Sequence, residues 1–267
     1  MKINFIPIVS IMIFLVASCS PEIHGKKASE DRQLKVLAYN IHHANPPSKP
    51  DVIDIEAIAS VILESEAELV ALQEVDVRTE RSGKDLHQAA KLAELTGMHY
   101  YFSKSIDYQG GEYGNAILSK YPIENSEVLP LPAEEGTEPR MLLVAEVNLP
   151  NGETIKFAST HLDYTSKTIA HKQAEAITSF FEKERLPVVM GGDFNSVPGS
   201  DAINHLDGFF KRSCQEDCPP TIPVINPNRE IDFIMFSPKD HFRVITHRTI
   251  GETYASDHLP LMAEMSW

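Results

Sequence analysis

A chain of 267 residues, 42% hydrophobic and 23% charged, has room for one large α/β domain or two small ones and the composition of an ordinary soluble globular protein. Its formal charge of −14 repels polyanions at long range, which argues against tight non-specific DNA binding but leaves open an anionic substrate whose charge a divalent cation meets locally. The most basic stretch, "VRTERSGKD" with Arg78, Arg81 and Lys84, also contains acids and reads as a solvated loop.

The chain opens unlike the rest of it. Lys2 leads into "INFIPIVSIMIFLV", too short and too proline-interrupted for a comfortable membrane span, and the small residues Ala17 and Ser18 follow. Residues 1–18 are therefore expected to be an export signal. "LVASC" resembles the bacterial lipoprotein cleavage site, which makes Cys19 the lipidated first residue of the mature chain; an ordinary secretory signal or a buried N-terminal strand is the alternative. On the lipoprotein reading, residues 19–33 are a polar tether, loss of Lys2 makes the mature chain one unit more negative, and the protein is exported and held to a bacterial membrane by its lipid anchor.

From Leu34 onward strand-like runs alternate with helical patterns and no fixed-period repeat intervenes, so residues 34–267 read as a single domain. In chain order, a strand "LKVLAYNI" precedes a helix over 51–66, with Val52, Ile55, Ile58, Ala59 and Ile62 on one face. A strand "LVALQEV" and a helix over 85–97, closed by Gly97, come next. The strands "GNAILSKYPI", "MLLVAEVNL" and "ETIKFAST" follow, the last two joined by the Asn-Gly turn in "NLPNGET". A helix over about 165–184 carries Ile169, Ala176, Ile177 and Phe180 at helical spacing, and the strands "PVVMGGDF", "IDFIMFS", "FRVITHRTI" and "LPLMAEMSW" complete the chain. Cys214 and Cys218 lie in "KRSCQEDCPP"; export permits a disulfide, two free thiols are the alternative, and no second Cys or His pair stands at zinc-ligand spacing. This order fits a layered α/β domain with mixed sheets.

Polar residues stand where these strands stop or start: Asn40, Glu74, His161, Asp193, Asn195, Asp232, Asp257 and His258. In "GGDFNSVPGS" alone, Asp193 and Asn195 read equally well as a turn cap or as an oxygen ligand beside a hydrogen-bond donor. A set of carboxylates, amides and imidazoles converging from separate strand ends goes beyond local turn chemistry, because unpaired carboxylates repel unless a cation lies among them.

The motifs "YNIHH", "LQEVD", "GNAILSKYPI", "STHLD", "GGDFNSVPGS", "IDFIMF" and "SDHLPL" resemble, in order and spacing, those of the endonuclease/exonuclease/phosphatase superfamily, the DNase I-like hydrolases. The resemblance covers essentially everything after Leu34. It implies a four-layer α/β/β/α sandwich of two mixed β-sheets and a metal-dependent phosphoester hydrolase site at one end. By the same resemblance Glu74 is the main ligand of Mg²⁺ (or Mn²⁺), with Asn40 and Asp257 as neighbouring ligands or their supports. Asp193 orients or deprotonates the attacking water, and Asn195 donates to the phosphoryl oxygen. His258, kept cationic by Asp232, binds a non-bridging oxygen, and His161 lies near the leaving group and can protonate it.

Other residues carry less. Of His42 and His43, the latter is the candidate to line a phosphate pocket, with a surface role as the alternative. Glu112 is a candidate support for His161 and Asn115 a candidate to face the site, each with a plain turn as alternative. Arg140 is a candidate phosphate clamp or a surface salt bridge. His171, His205, His241 and His247 have no motif around them and read as structural. The expected substrate is a lipid headgroup or other small phosphoester. An exported nuclease is the rival within the class, disfavoured by the scarcity of cationic loops; a catalytically silent glycan-, lipid- or protein-binding domain is the rival outside it.

Overall fold

The computed structural model describes residues 1–2 and 33–267; the expected export signal apart from Met1 and Lys2, Cys19, and all of the tether but Gln33 lie outside the described residues. Twelve strands and four helices follow in order: β1 (Gln33–Asn40), a 3-10 turn at His42–Ala44, α1 (Ile55–Ser65), β2 (Leu69–Val77), α2 (Gln88–Thr96), β3 (His99–Tyr108), β4 (Gly111–Ser119), β5 (Ile123–Pro130), β6 (Met141–Asn148), β7 (Thr154–His161), α3 (Lys167–Phe181), β8 (Val188–Asp193), α4 (Asp201–Phe209), β9 (Lys211–Arg212), β10 (Asp232–Ser237), β11 (Arg243–Thr249) and β12 (Leu261–Ser266). They form two six-stranded sheets, β11-β12-β1-β2-β4-β3 and β5-β6-β7-β8-β10-β9. Each sheet is antiparallel except for one central parallel pair, β1 with β2 and β7 with β8. A parallel pair needs a long crossover, and α1 and α3 supply it.

Alternation along the strands builds three apolar layers. In β1, Leu34, Val36 and Ala38 enter the core between the sheets, where they join Ile117, Leu143, Phe157, Val189 and Phe236. Leu37 and Tyr39 point the other way and pack with Ile58, Ile62 and Leu92 of α1 and α2. On the far side Leu142, Val144 and Met190 meet Ile177, Phe181 and Leu206 of α3 and α4. Burial on both faces is why the central strands read as unbroken apolar runs. The result is the α/β/β/α sandwich with mixed sheets.

Several boundaries differ from expectation. The first helix starts at Ile55, because Asp54 caps it by accepting from Ala57 N–H at 3.0 Å, and Val52 is left 38% exposed ahead of it. "GNAILSKYPI" is two strands: β4 ends at Ser119, and the chain then crosses to the other sheet to begin β5 at Ile123. The Asn151-Gly152 turn joins β6 to β7 as expected, with Gly152 at φ +84°. Cys214 and Cys218 form a disulfide, so the two-thiol alternative falls. Among the described residues no helix is long and apolar enough to cross a membrane.

Candidate active site

The crossovers determine where polar residues collect. Both parallel pairs run toward one rim, so Asn40 of β1, Glu74 of β2, His161 of β7 and Asp193 of β8 all lie at or near carboxyl ends of strands, where open α/β sheets bind ligands. β10 is antiparallel to β8, so its first residue Asp232 pairs with Asp193, which pairs in turn with His161. β12 is antiparallel to β1, which returns the Ser256–His258 loop to the same rim; Ser256 Oγ donates to the Asn40 carbonyl at 2.7 Å and pins it there.

Glu74 is aimed by a bulge. Leu72 opposes Ala116 and Val75 opposes Gly114, so Gln73 and Glu74 together face Asn115, and Glu74 takes φ +58°. Gln73 turns into the interior and donates to Ser159 Oγ at 3.0 Å. Asn40 then spans the two sheets, its Nδ2 donating to Glu74 Oε1 at 3.0 Å and to Asp193 Oδ2 at 3.1 Å, while its Oδ1 accepts from His42 N–H at 3.0 Å. In this arrangement Asn40 supports the carboxylates with its amide nitrogen, and its oxygen, which accepts one bond from His42, keeps a second lone pair.

Around Asp193 the cluster is buried and closely spaced. Oδ1 accepts from Asn195 N–H at 2.9 Å, and Oδ2 lies 3.4 Å from His161 Nε2 and 3.7 Å from His258 Nε2. His258 Nδ1 meets Asp232 Oδ2 at 2.9 Å, and Asp232 Oδ1 is buried with no hydrogen-bond partner among the described residues. Burial, then the negative charge of Asp232, pushes the Asp193 carboxyl up to about 7. For His258 burial is the largest single influence and acts downward, but Asp232 and then Asp193 outweigh it and raise the imidazole to about 10. Asn195 sits at φ +47° and donates from Nδ2 to the Leu162 carbonyl at 3.0 Å, leaving its second amide hydrogen available. Asp257 is half-buried beside His258.

One expectation about His161 is corrected. Glu112 does not support it; that side chain is 43% exposed and faces Lys104 at 3.8 Å. The partner of His161 Nδ1 is Arg140, at 3.0 Å. A guanidinium has only donors, so Nδ1 accepts and the ring proton sits on Nε2. Burial, followed by the charges of Arg140 and His258, holds the imidazole well below its ordinary value. With Nδ1 occupied by Arg140, the Nε2–H of His161 is directed to the rim beside Asp193, where it can donate a hydrogen bond. Arg140 is no surface salt bridge: it is 3% exposed and in ion-pair contact with Glu138 at 2.9 Å. Asn115 is buried and donates to the Met141 carbonyl at 3.3 Å, tying β4 to the second sheet below the rim.

His43 lies on the Glu74 side. One ring nitrogen each of His42 and His43 and one Glu74 oxygen fall within 4.8 Å of one another, and a second such group comprises Asp193, Asp232 and His258. Of the four histidines without a motif, His205 meets Thr178, His241 meets Glu153 and His247 meets Ser213, and His171 packs edge-on against His205.

Sequence reasoning missed part of the support. Asp76 is fully buried and takes a two-pronged bond from Arg81, at 2.7 and 2.9 Å, with Thr79 and Ser82 completing the shell. "VRTERSGKD" is thus partly folded onto the strand that carries Glu74 rather than merely solvated; a polar residue two positions past Glu74 in a buried run was the available signal. Asp163, which accepts from Thr165 N–H, Thr165 Oγ and Ser166 N–H at 2.7–2.8 Å, fixes the loop after His161 in the same way.

An α/β/β/α sandwich whose strand ends gather carboxylates, imidazoles and an amide at one rim defines a hydrolase-type site. The profile of the Endonuclease/Exonuclease/phosphatase family matches residues 37–258, and the chain belongs to that family, whose members hydrolyse phosphoester bonds. It is 28% identical over 249 residues to the uncharacterized protein YbhP of Escherichia coli (strain K12), covering 86% of this chain and 95% of that one. The endonuclease/exonuclease/phosphatase of Beutenbergia cavernae DSM 12333 shares the fold at TM-score 0.71 and 24% identity, over 88% of this chain and 72% of that one. The mannosyl-6-phosphatase of Bacteroides thetaiotaomicron VPI-5482 shares it at TM-score 0.70 and 20% identity, over 88% and 100%. Enzymes of this family typically depend on a divalent metal, and the Asp193, Asp232 and His258 group has donors of the right kind.

Proposed function

We propose that this chain hydrolyses small phosphoesters, lipid headgroups among them, by in-line attack of water with Mg²⁺ or Mn²⁺ as cofactor. The observation that carries this reading is the single Asn40 amide nitrogen within 3.1 Å of both Glu74 and Asp193, beside the His258–Asp232 pair. Hard carboxylate oxygens suit these ions, and the unpartnered Asp232 Oδ1 marks a site with acceptor capacity to spare. Glu74 and Asp257 are the residues to hold the ion, with Asn40 keeping Glu74 in place. Once bound, a divalent cation withdraws charge from the phosphoryl oxygen and offsets the repulsion among the carboxylates.

The chain's own groups supply the rest. Asp193, whose carboxyl is raised by burial, takes the proton of the attacking water. Cationic His258, the Asn195 amide and the Nε2–H of His161 donate to phosphoryl oxygens as charge builds on them. Arg140 and Asp232 act through their imidazoles, holding each ring by its Nδ1. A cavity of about 390 Å³ adjoins Asn195 and is lined by Lys167, Ser196, Ser200 and Arg229, which supports a small polar or anionic substituent on the ester. The lipid-headgroup part of the reading rests on an exported chain anchored through Cys19.

The test uses p-nitrophenyl phosphate and bis-p-nitrophenyl phosphate with and without EDTA. Release of nitrophenol should require added Mg²⁺ or Mn²⁺, and Asp193→Asn should lower kcat by about 10²–10⁴-fold. Turnover that survives EDTA, or a variant as active as the parent, refutes the mechanism.

A further inference from the structure

From the turn that follows β1 we infer a second metal subsite, one of imidazole character, formed by His42, His43 and Glu74 and suited to a first-row transition ion of the Zn²⁺ class. Its donors converge: one nitrogen from each ring and one carboxylate oxygen lie within 4.8 Å of one another. The ring of His42 is oriented as ligating imidazoles are. Its Nδ1 stands 2.9 Å from the Asn45 carbonyl, which can only accept, so Nδ1 carries the proton and Nε2 presents a lone pair. His43 Nδ1 is sealed from solvent and has no hydrogen-bond partner among the described residues. The two rings meet edge to face with centroids 4.5 Å apart.

The backbone beneath them is held in a conformation that costs energy. His42, His43 and Ala44 occupy φ +45°, +44° and +57° in succession, and none is glycine. Such a run persists only where the surroundings over-determine it. Here Asn40 Oδ1 accepts from His42 N–H at 3.0 Å, Gln88 Nε2 donates to the His43 carbonyl at 2.6 Å, and the Asn45 amide bonds the carbonyls of Lys49, Pro50 and Val52. The strain places two imidazoles against a carboxylate that is itself at φ +58°. A solvated turn at this position needs none of these constraints.

Two imidazoles and a carboxylate favour Zn²⁺ or Co²⁺ over Mg²⁺, which prefers oxygen ligands and retained water. Because Glu74 has two oxygens, the imidazole subsite and the hard-ion site share it. The subsite is a property of this chain's donors and stands apart from the hydrolase reading, since binding is measured without turnover.

The experiment titrates the metal-free full chain with Co²⁺, whose visible absorption reports nitrogen ligation, in the presence of excess Mg²⁺. One equivalent should bind, be displaced by Zn²⁺ and resist Mg²⁺. The double variant His42→Gln/His43→Gln, checked for native circular dichroism, should bind Co²⁺ roughly 10–100-fold more weakly, whereas His258→Gln should retain the absorption. In the unaltered protein, Zn²⁺ should shift the ¹⁵N resonance of His42 Nε2, which keeps the test decisive if the double variant misfolds. The inference is overturned if the double variant keeps the parent's affinity and spectrum, if the signal is lost with His258→Gln instead, or if Zn²⁺ leaves the rings of His42 and His43 unmoved.

Discussion

The guanidinium of Arg140 determines which nitrogen of His161 carries the proton, and so which kind of partner that ring can be. Replacing it with methionine keeps much of the volume but frees Nδ1 and leaves Glu138 without its cation. Arg140→Met should lower kcat/KM by roughly 10–100-fold, and ¹⁵N spectra should show His161 redistributing between tautomers; a variant with the parental tautomer would mean that something else orients the ring. His247 offers a separate test on stability. Burial holds it at about 4, below the value of about 6.5 expected of the unfolded chain. The unfolded state therefore binds more protons between those values, so stability is full above pH 6.5 and is lost as pH falls toward 4. Discounted for partial exposure, the loss is roughly 1–2 kcal/mol, and urea denaturation of the parent and of His247→Gln at pH 7 and pH 5 should show a smaller pH effect in the variant.

Elements explain which parts of this architecture could be read in advance. The central strands β1, β2, β7, β8 and β10 were visible because both faces are buried and their sequences are apolar almost throughout. The edge strands β3 and β5 escaped notice, since "HYYFSKSIDY" and "IENSEVLP" show mostly half-buried or exposed side chains and no clean alternation. Site residues at strand ends, such as Asn40, Asp193 and Asp232, were legible for the same reason that the central strands were. The bulge that aims Glu74, and the ties from Arg140 to His161 and from Arg81 to Asp76, depend on pairings between distant segments that no local pattern encodes. Gly191 carries an element-scale prediction. A Cβ built there lies 2.9 Å from Ala71 Cβ and 3.1 Å from Ala38 Cβ, so the sheets approach closely two residues before Asp193. Gly191→Ala should cost about 1–3 kcal/mol by overpacking, read as a lower urea midpoint at unchanged slope.

For the molecule as a whole, the proposed anchor and the acidic charge act together. The full chain carries a formal charge of −14 and the expected mature chain one unit more, so the surface gains nothing electrostatically from an anionic bilayer, and on that proposal membrane attachment falls to the anchor. Cys19→Ser should abolish incorporation of labelled fatty acid and release the protein to the soluble fraction, while hydrolysis of soluble nitrophenyl esters continues. Retention of label in that variant would place the modification elsewhere.

Asn40 joins the two sheets through a single nitrogen, with Glu74 on its own side of the sandwich and Asp193 on the other. Any sideways creep of one layer over the other is therefore felt at this atom, which cannot follow both carboxylates at once, as well as at the Gln73–Ser159 and Asn115–Met141 ties. On the proposed mechanism, the spacing of the metal-holding and base carboxylates is set by how faithfully the two halves stay aligned.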